Sequence, residues 1–312
     1  MDPFFSIVMP VYNRAAFIET AIKSVLEQQF SNWELIIIDD GSTDNSAEII
    51  QKYTGDPRII YRYQTNQERS KARNNGIDMA RGNFICFLDS DDYYLPNHLA
   101  VLKETIDSTG ERPALYYTGY FVNSGGELKK NKDFSSLRKK GIYNILFEEL
   151  LQTNSVCISA RLLTENKFPE NFNLFEDNHL WLRVIARSEM IYIPAATTVF
   201  CNHDARSLKV LPEKLKAKAQ KYIDVLTDLF YSGKYPYLDE YITRKEKKTV
   251  MGAKMIVLTY EALNMGALTT AYSFLFRAWH FNFDTTRIIE YIKILIGAPF
   301  FVLLKNSGAQ KA

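Results

Sequence analysis

Residues Gly82–Asp92 read GNFICFLDSDD, an apolar run that stops in a cluster of carboxylates. Asn83–Leu88 has the composition of a short buried strand, and the polar cluster marks where that strand ends. Upstream the same pattern recurs. Phe5–Val11 (FSIVMPV) stops at Tyr12-Asn13, Trp33–Asp39 (WELIIID) stops at Asp40-Gly41-Ser42, and Ile59–Tyr63 is a further strand. Between the strands, Phe17, Ile18, Ala21, Ile22, Val25 and Leu26 recur at helical spacing, and helices follow at Asn45–Tyr53 and Ser70–Arg81. Strand and helix alternating at this spacing predict βαβ units and a mostly parallel sheet flanked by helices. Ligands of such sheets bind beyond the carboxyl ends of the strands. The clusters Tyr12-Asn13, Asp39-Asp40 and Asp89–Asp92 all fall at those ends.

Past residue 100 the pattern changes. Leu115–Val122 is an aromatic-rich strand followed by a hairpin turn at Asn123–Gly126, and residues 127–140 read as a polar surface loop. Val156–Ala160 is another strand. An amphipathic helix carries Leu180, Trp181, Val184 and Ile185, and Met190–Cys201 is a strand ending at His203. From residue 212 the chain reads as helical. The expected organisation is an α/β unit in two halves, 1–100 and 101–210, and a helical C-terminal region at 211–312.

Composition narrows the function. The chain has 312 residues, 46% of them apolar, so it can bury a large core. A net charge of +2 argues against a nucleic-acid binder. Cys86, Cys157 and Cys201 are far apart and lack CxxC spacing, which argues against a disulfide scaffold and a structural zinc site. No secretory leader pattern opens the chain, and the expected compartment is the cytoplasm. No run reaches the ~18 apolar residues of a spanning helix. Residues 287–305 are apolar and interrupted by Lys293, and two readings stand: a core helix, or an interfacial segment at the inner face of a membrane.

Asp89, Asp91 and Asp92 form a hard-oxygen cluster of the kind that binds Mg²⁺ or Mn²⁺ through one or two carboxylates. The same residues also suit an ordinary turn. Asp39 and Asp40 either cap a strand-to-helix turn or accept from a base N–H or a ribose hydroxyl. Tyr12 can stack on a base or sit as a plain interfacial tyrosine. Asp177, beside Glu176, stands at the start of a helix whose dipole favours an ionised carboxylate. It is either a cap or a general base.

PVYN (Pro10–Asn13), ELIIIDDGSTD (Glu34–Asp44), KARNNG (Lys71–Gly76) and GNFICFLDSDD together resemble the nucleotide-binding half of the family 2 glycosyltransferases, inverting enzymes of the GT-A fold. The resemblance covers residues 5 to about 100 and continues more weakly through FEDNHLWLR (Phe175–Arg183) and FCNHDARS (Phe200–Ser207). It implies a nucleotide-sugar-binding half at 1–100, an acceptor-binding and catalytic half at 101–210, a nucleotide-sugar donor, a Mn²⁺ or Mg²⁺ cofactor and a role for each matching position. Pro10, Tyr12 and Asn13 would line the base pocket, and Asp40 would accept from the base. Lys71 and Arg73 would lie near the base or the diphosphate. Asp89 would hold the ribose or a metal-bound water, Asp91 would ligate the metal, and His203 would complete the metal or phosphate contacts. Asp177 would be the catalytic base. Asp39, Asp92 and Glu176 would support these residues or face the acceptor.

The implied reaction moves one sugar, from UDP by family habit with GDP and dTDP open, to a glycan or lipid-linked hydroxyl in surface polysaccharide synthesis. The Gln-x-x-Arg-Trp motif of the processive members is absent, which points to a single transfer. A Rossmann dehydrogenase would need G-x-G-x-x-G and a P-loop NTPase G-x-x-x-x-G-K-[ST], and neither occurs. A glycoside hydrolase would have no reason to place its carboxylates along such a sheet edge. The rival from another class is a non-catalytic nucleotide-sugar-binding scaffold that keeps the fold.

Overall fold

The computed structural model describes residues 2–131, 151–203 and 214–281. They divide into two compact units, the first comprising the described residues up to 203 and the second beginning at 214.

The first unit is built on a nine-stranded sheet of order β3-β2-β1-β4-β8-β6-β9-β5, with β7 paired to β6. Its strands are β1 (Phe5–Val11), β2 (Trp33–Asp39), β3 (Ile59–Tyr63), β4 (Phe84–Phe87), β5 (Tyr93–Tyr94), β6 (Ala114–Ser124), β7 (Glu127–Lys130), β8 (Val156–Ser159) and β9 (Glu189–Asn202). Its helices are α1 (Ile18–Leu26), α2 (Ser46–Gln51), α3 (Glu68–Met79), α4 (His98–Ser108), α5 (Ala160–Leu163) and α6 (Glu176–Ile185). β1, β2, β3 and β4 pair in parallel, as the βαβ spacing requires, and β8 joins antiparallel to both β4 and β6. Residues 127–130, expected in a surface loop, form strand β7. The Gly125-Gly126 turn, with φ of 64° and 94°, closes a tight hairpin that returns them onto β6 in register.

The chain leaves β1 toward β2 and β3, then crosses back to place β4 on the other side of β1. The strand order therefore reverses between β1 and β4. The crevice past the carboxyl ends of those two strands is the place where such sheets bind ligands. The loop after β1 begins with Tyr12, and the loop after β4 contains Asp89–Asp92.

Alternation along β1 sorts its side chains. Phe5, Ile7, Met9 and Val11 join the large core with Ile18, Ile22, Leu99 and Leu102 of α1 and α4. On the other face of the sheet, Ile36 and Ile38 of β2 pack against Ala72 of α3. There α3 lies close on β1 at Gly76. A Cβ at this position would stand 2.4 Å from Val8 Cγ1. Valine is stiff about χ1, so it cannot swing aside cheaply. Gly76→Ala is therefore expected to destabilise the fold by roughly 1–2 kcal/mol despite its better helix propensity. A lower urea midpoint at unchanged m-value would register this.

The second unit contains α7 (Leu215–Tyr231), α8 (Arg244–Asn264) and α9 (Leu268–Phe281). α8 opens on a capping box, in which Thr243 and Glu246 satisfy each other's backbone N–H groups. Among the described residues no helix is long and apolar enough to cross a membrane. Residues 287–305 lie outside the described residues.

Candidate functional site

The loops after β1 and β2 are pinned into one platform. Asn13 takes a left-handed φ of 51°. Its N–H donates to Ser42 Oγ at 3.0 Å, and its Oδ1 accepts from Thr43 N at 2.8 Å. Arg14 N–H donates to Ser46 Oγ at 2.8 Å, and Ala15 N–H to Asp44 Oδ2 at 2.9 Å. The GSTDNS run thus acts at a distance of about thirty residues, holding the first loop through side chains typical of turns. Asn13 is part of this scaffolding. Tyr12, just past the end of β1, is 47% exposed.

Asp39 and Asp40 divide their roles. Asp39 is fully buried and accepts from Ser42 N at 2.8 Å and Tyr61 Oη at 2.9 Å. It shapes the turn. Asp40 Oδ1 accepts from Gln64 Nε2 at 2.7 Å and from Gln67 N at 2.8 Å. Its Oδ2 takes no hydrogen bond from the described residues, which leaves an acceptor beside the platform.

The three carboxylates after β4 bring one oxygen each to within 4.8 Å of one another. Asp92 is already committed, accepting from Cys201 N at 2.8 Å and Asn154 Nδ2 at 3.2 Å. Asp89 accepts from Arg73 Nη2 at 2.7 Å. Asp91 faces His203, whose Nε2 is 3.1 Å from Oδ2, and Arg14, whose Nε is 3.6 Å from the same oxygen. The His203 ring stacks on Phe17 with centroids 4.3 Å apart, and its buried Nδ1 has no hydrogen-bond partner among the described residues. Hard oxygens at Asp89 and Asp91 with an imidazole alongside suit a small divalent cation that completes its shell with water and phosphate.

Arg73, expected near the base or the diphosphate, is paired with two carboxylates of the site. It is 3% exposed and bridges Asp89 to Glu176, with Nη1 at 2.9 Å from Glu176 Oε1. Lys71 is turned to Glu170, at 3.1 Å. Both lie on α3, and each faces carboxylates of the protein, Lys71 Glu170 and Arg73 the Asp89–Glu176 pair.

The Arg73 bridge separates the two acids of the Glu176-Asp177 pair. Phe175, with φ of 62°, turns the chain sharply into α6. Glu176 is 3% exposed and faces Arg73. Asp177 instead accepts from Thr153 Oγ1 at 3.2 Å and from the Asn178 N–H at 2.7 Å. Burial pushes the Asp177 carboxyl up to about 6, and the charge of Glu176 adds to this. Arg73, the Asn178 N–H and Thr153 act against it. A carboxylate poised in this range is suited to accept a proton at neutral pH. Behind it, Trp181 packs on Phe87 and Phe168, each with centroids 5.6 Å away, and fixes α6 on β4.

Two contributors escape the sequence reading. Arg14 stands one residue beyond the PVYN run, so its position was a readable hint. Thr153 lies 24 residues from Asp177 in a one-turn 3₁₀ segment with no periodic signal.

Residues 6–164 match the family described as Glycosyl transferase family 2. The putative colanic acid biosynthesis glycosyl transferase WcaA of Escherichia coli is 32% identical over 68% of this chain and 78% of its own length. An uncharacterized glycosyltransferase of Rickettsia conorii is 32% identical over 61% of this chain, which spans only 31% of that relative. Two other Rickettsia glycosyltransferases are likewise matched over 27% and 31% of their lengths. Among solved structures, the fold resembles Staphylococcus aureus TarS 1–349 in complex with UDP-GlcNAc, with TM-score 0.57 and 19% identity over 88% of each chain. It also resembles the mannosyltransferase PcManGT of Pyrobaculum calidifontis in complex with GDP-Man and Mn²⁺. That likeness has TM-score 0.58 and 17% identity over 98% of this chain and 87% of the other.

Proposed function

The chain belongs to glycosyl transferase family 2, and on that premise we propose that it is a metal-dependent inverting enzyme. It would transfer one sugar from a nucleotide-diphosphate donor, UDP in the first instance, to a hydroxyl of a glycan or lipid-linked acceptor. Surface polysaccharide synthesis is the setting suggested by WcaA and by the amylovoran biosynthesis glycosyltransferase AmsB of Erwinia amylovora, 29% identical over 58% of this chain. The observation that carries the reading is the split between two neighbouring acids. Glu176 is answered by Arg73, and Asp177 is left to take a proton.

In this mechanism Asp177 accepts the proton of the acceptor hydroxyl as that oxygen attacks the anomeric carbon from the face opposite the diphosphate. Asp40 Oδ2 accepts from the base, and Tyr12 offers its ring for stacking. Asp91, with His203 beside it, would hold Mn²⁺ or Mg²⁺, and Asp89 would hold a ribose hydroxyl or a metal-bound water. The bound cation supplies charge neutralisation for the departing diphosphate.

A thermal-shift panel of UDP, GDP, dTDP and CMP, each with and without Mn²⁺, tests the donor side. A ligand at 100 times its dissociation constant should stabilise the fold by about 2.7 kcal/mol. One nucleotide is expected to give a shift that Mn²⁺ enlarges, and Asp91→Ala should abolish the enlargement. No shift with any nucleotide would favour a scaffold that keeps the fold without turnover.

A further inference from the structure

We propose that Arg14 is a contact residue for the donor's diphosphate, supplying a fixed positive charge on the side of Asp91 shared with His203. The inference rests on the nucleotide-sugar reading above and assigns a role to a residue outside the motifs that suggested it.

The geometry gives Arg14 its reach. The backbone is fixed by the bond from Arg14 N to Ser46 Oγ, and the guanidinium is steadied by Nη1 donating to Asn13 O at 3.1 Å. A longer contact of 3.4 Å runs from Nη1 to Tyr12 O. Nε stands 3.6 Å from Asp91 Oδ2, near enough for charge attraction and too far for a strong hydrogen bond. Nη2 makes no hydrogen bond with the described residues. The side chain is 26% exposed, so it is ordered by its surroundings and still open to an incoming anion. Among the described residues, Arg73 is engaged with Asp89 and Glu176, and Lys71 with Glu170.

A planar guanidinium with spare donors matches phosphate oxygens in geometry and charge. An anion drawn toward Asp91 by a divalent cation comes within reach of Arg14 at the same time. Without the anion, guanidinium and cation repel each other across Asp91. With it, both attract the same group. Arg14 should therefore oppose metal binding alone and favour diphosphate binding, two effects of opposite sign.

The test compares wild type, Arg14→Gln and Arg14→Lys, all checked for native circular dichroism. Calorimetry measures Mn²⁺ alone and UDP with Mn²⁺, and ligand-observed NMR measures uridine. Arg14→Gln is expected to weaken UDP by roughly tenfold or more, the size of one charge-assisted hydrogen bond. Uridine should be unchanged, and Mn²⁺ alone should bind as well as before or more tightly. Arg14→Lys should recover part of the UDP affinity. Unchanged UDP affinity, or equal losses for UDP and uridine, would overturn the role of Arg14 and leave the donor reading standing. If wild type binds none of UDP, GDP and dTDP, the donor reading falls and the inference falls with it.

Discussion

Asp177→Asn is expected to abolish sugar transfer while leaving nucleotide affinity close to that of the wild type. Asparagine is nearly isosteric and keeps an oxygen for Thr153, but it cannot take a proton. Loss of a positioned base costs on the order of 10²–10⁴ in rate, and more where the nucleophile is a poorly acidic hydroxyl. The wild-type rate should also carry an acid limb. Burial raises the Asp177 carboxyl from 3.8 to about 6, so activity should fall as pH drops below 6 and the base becomes protonated. The same shift sets a sign for stability. Between pH 3.8 and 6 the unfolded chain ionises this group while the folded chain keeps it protonated, so stability falls as pH rises through that window. Asp177→Asn removes the penalty and should stabilise the fold at neutral pH by up to roughly 3 kcal/mol, with the gain vanishing below pH 4. A gain in melting temperature coupled to loss of turnover is the signature of a residue placed for chemistry. Near-wild-type turnover in the variant would rule Asp177 out as the base.

The parallel half of the fold was legible because β1, β2 and β4 are buried on both faces and read as nearly continuous apolar runs, with β3 a shorter apolar start that runs out into exposed Arg62 and Tyr63. β1, β2 and β3 begin and end where the runs do. β7 was not legible. Its sequence, ELKK, is polar throughout, and only the Gly125-Gly126 turn brings it onto β6. In the candidate site, spacing exposed the carboxylates at the strand ends but not what each one faces. Asp89, Asp91 and Asp92 look equivalent in sequence, yet Asp92 is held by Asn154 and Cys201, while Asp91 meets Arg14 and His203. Those partners come from far along the chain, and single-sequence periodicity contains no term for them. Lys71 and Arg73 illustrate the same limit. The motif placed them on α3, and only tertiary packing turned them to Glu170 and to the Asp89–Glu176 pair.

Arg73 is the position where a single substitution should cost the most stability. Its guanidinium is 3% exposed and satisfies two carboxylates in different elements, Asp89 after β4 and Glu176 at the start of α6. Burial alone would lower its pKa, but Asp89 and Glu176 more than reverse this, so the charge is permanent. Arg73→Met leaves the buried Glu176 with only the longer contact to Arg69 Nε at 3.8 Å, and breaking a buried pair in this way costs about 3–5 kcal/mol in folded proteins. Arg73→Lys should recover little, because one ammonium cannot span two acids in a fixed fork. The double variant Arg73→Met with Glu176→Gln should regain part of the loss, since the buried charge of Glu176 is then gone and only the partly exposed Asp89 has lost its contact to Arg73. Urea denaturation of the three proteins measures these differences. The bridge also tunes Asp177, because Arg73 lowers its pKa while Glu176 raises it. In any Arg73→Met protein that remains folded, the acid limb of the rate profile should move to higher pH. In Glu176→Gln it should move to lower pH, with Arg73 still held by Asp89. Shifts of opposite sign from the two ends of one ion pair would mean that the bridge sets the proton affinity of the base as well as holding α6 against the sheet. If both variants lose stability while the limb stays fixed, Arg73 is structural only.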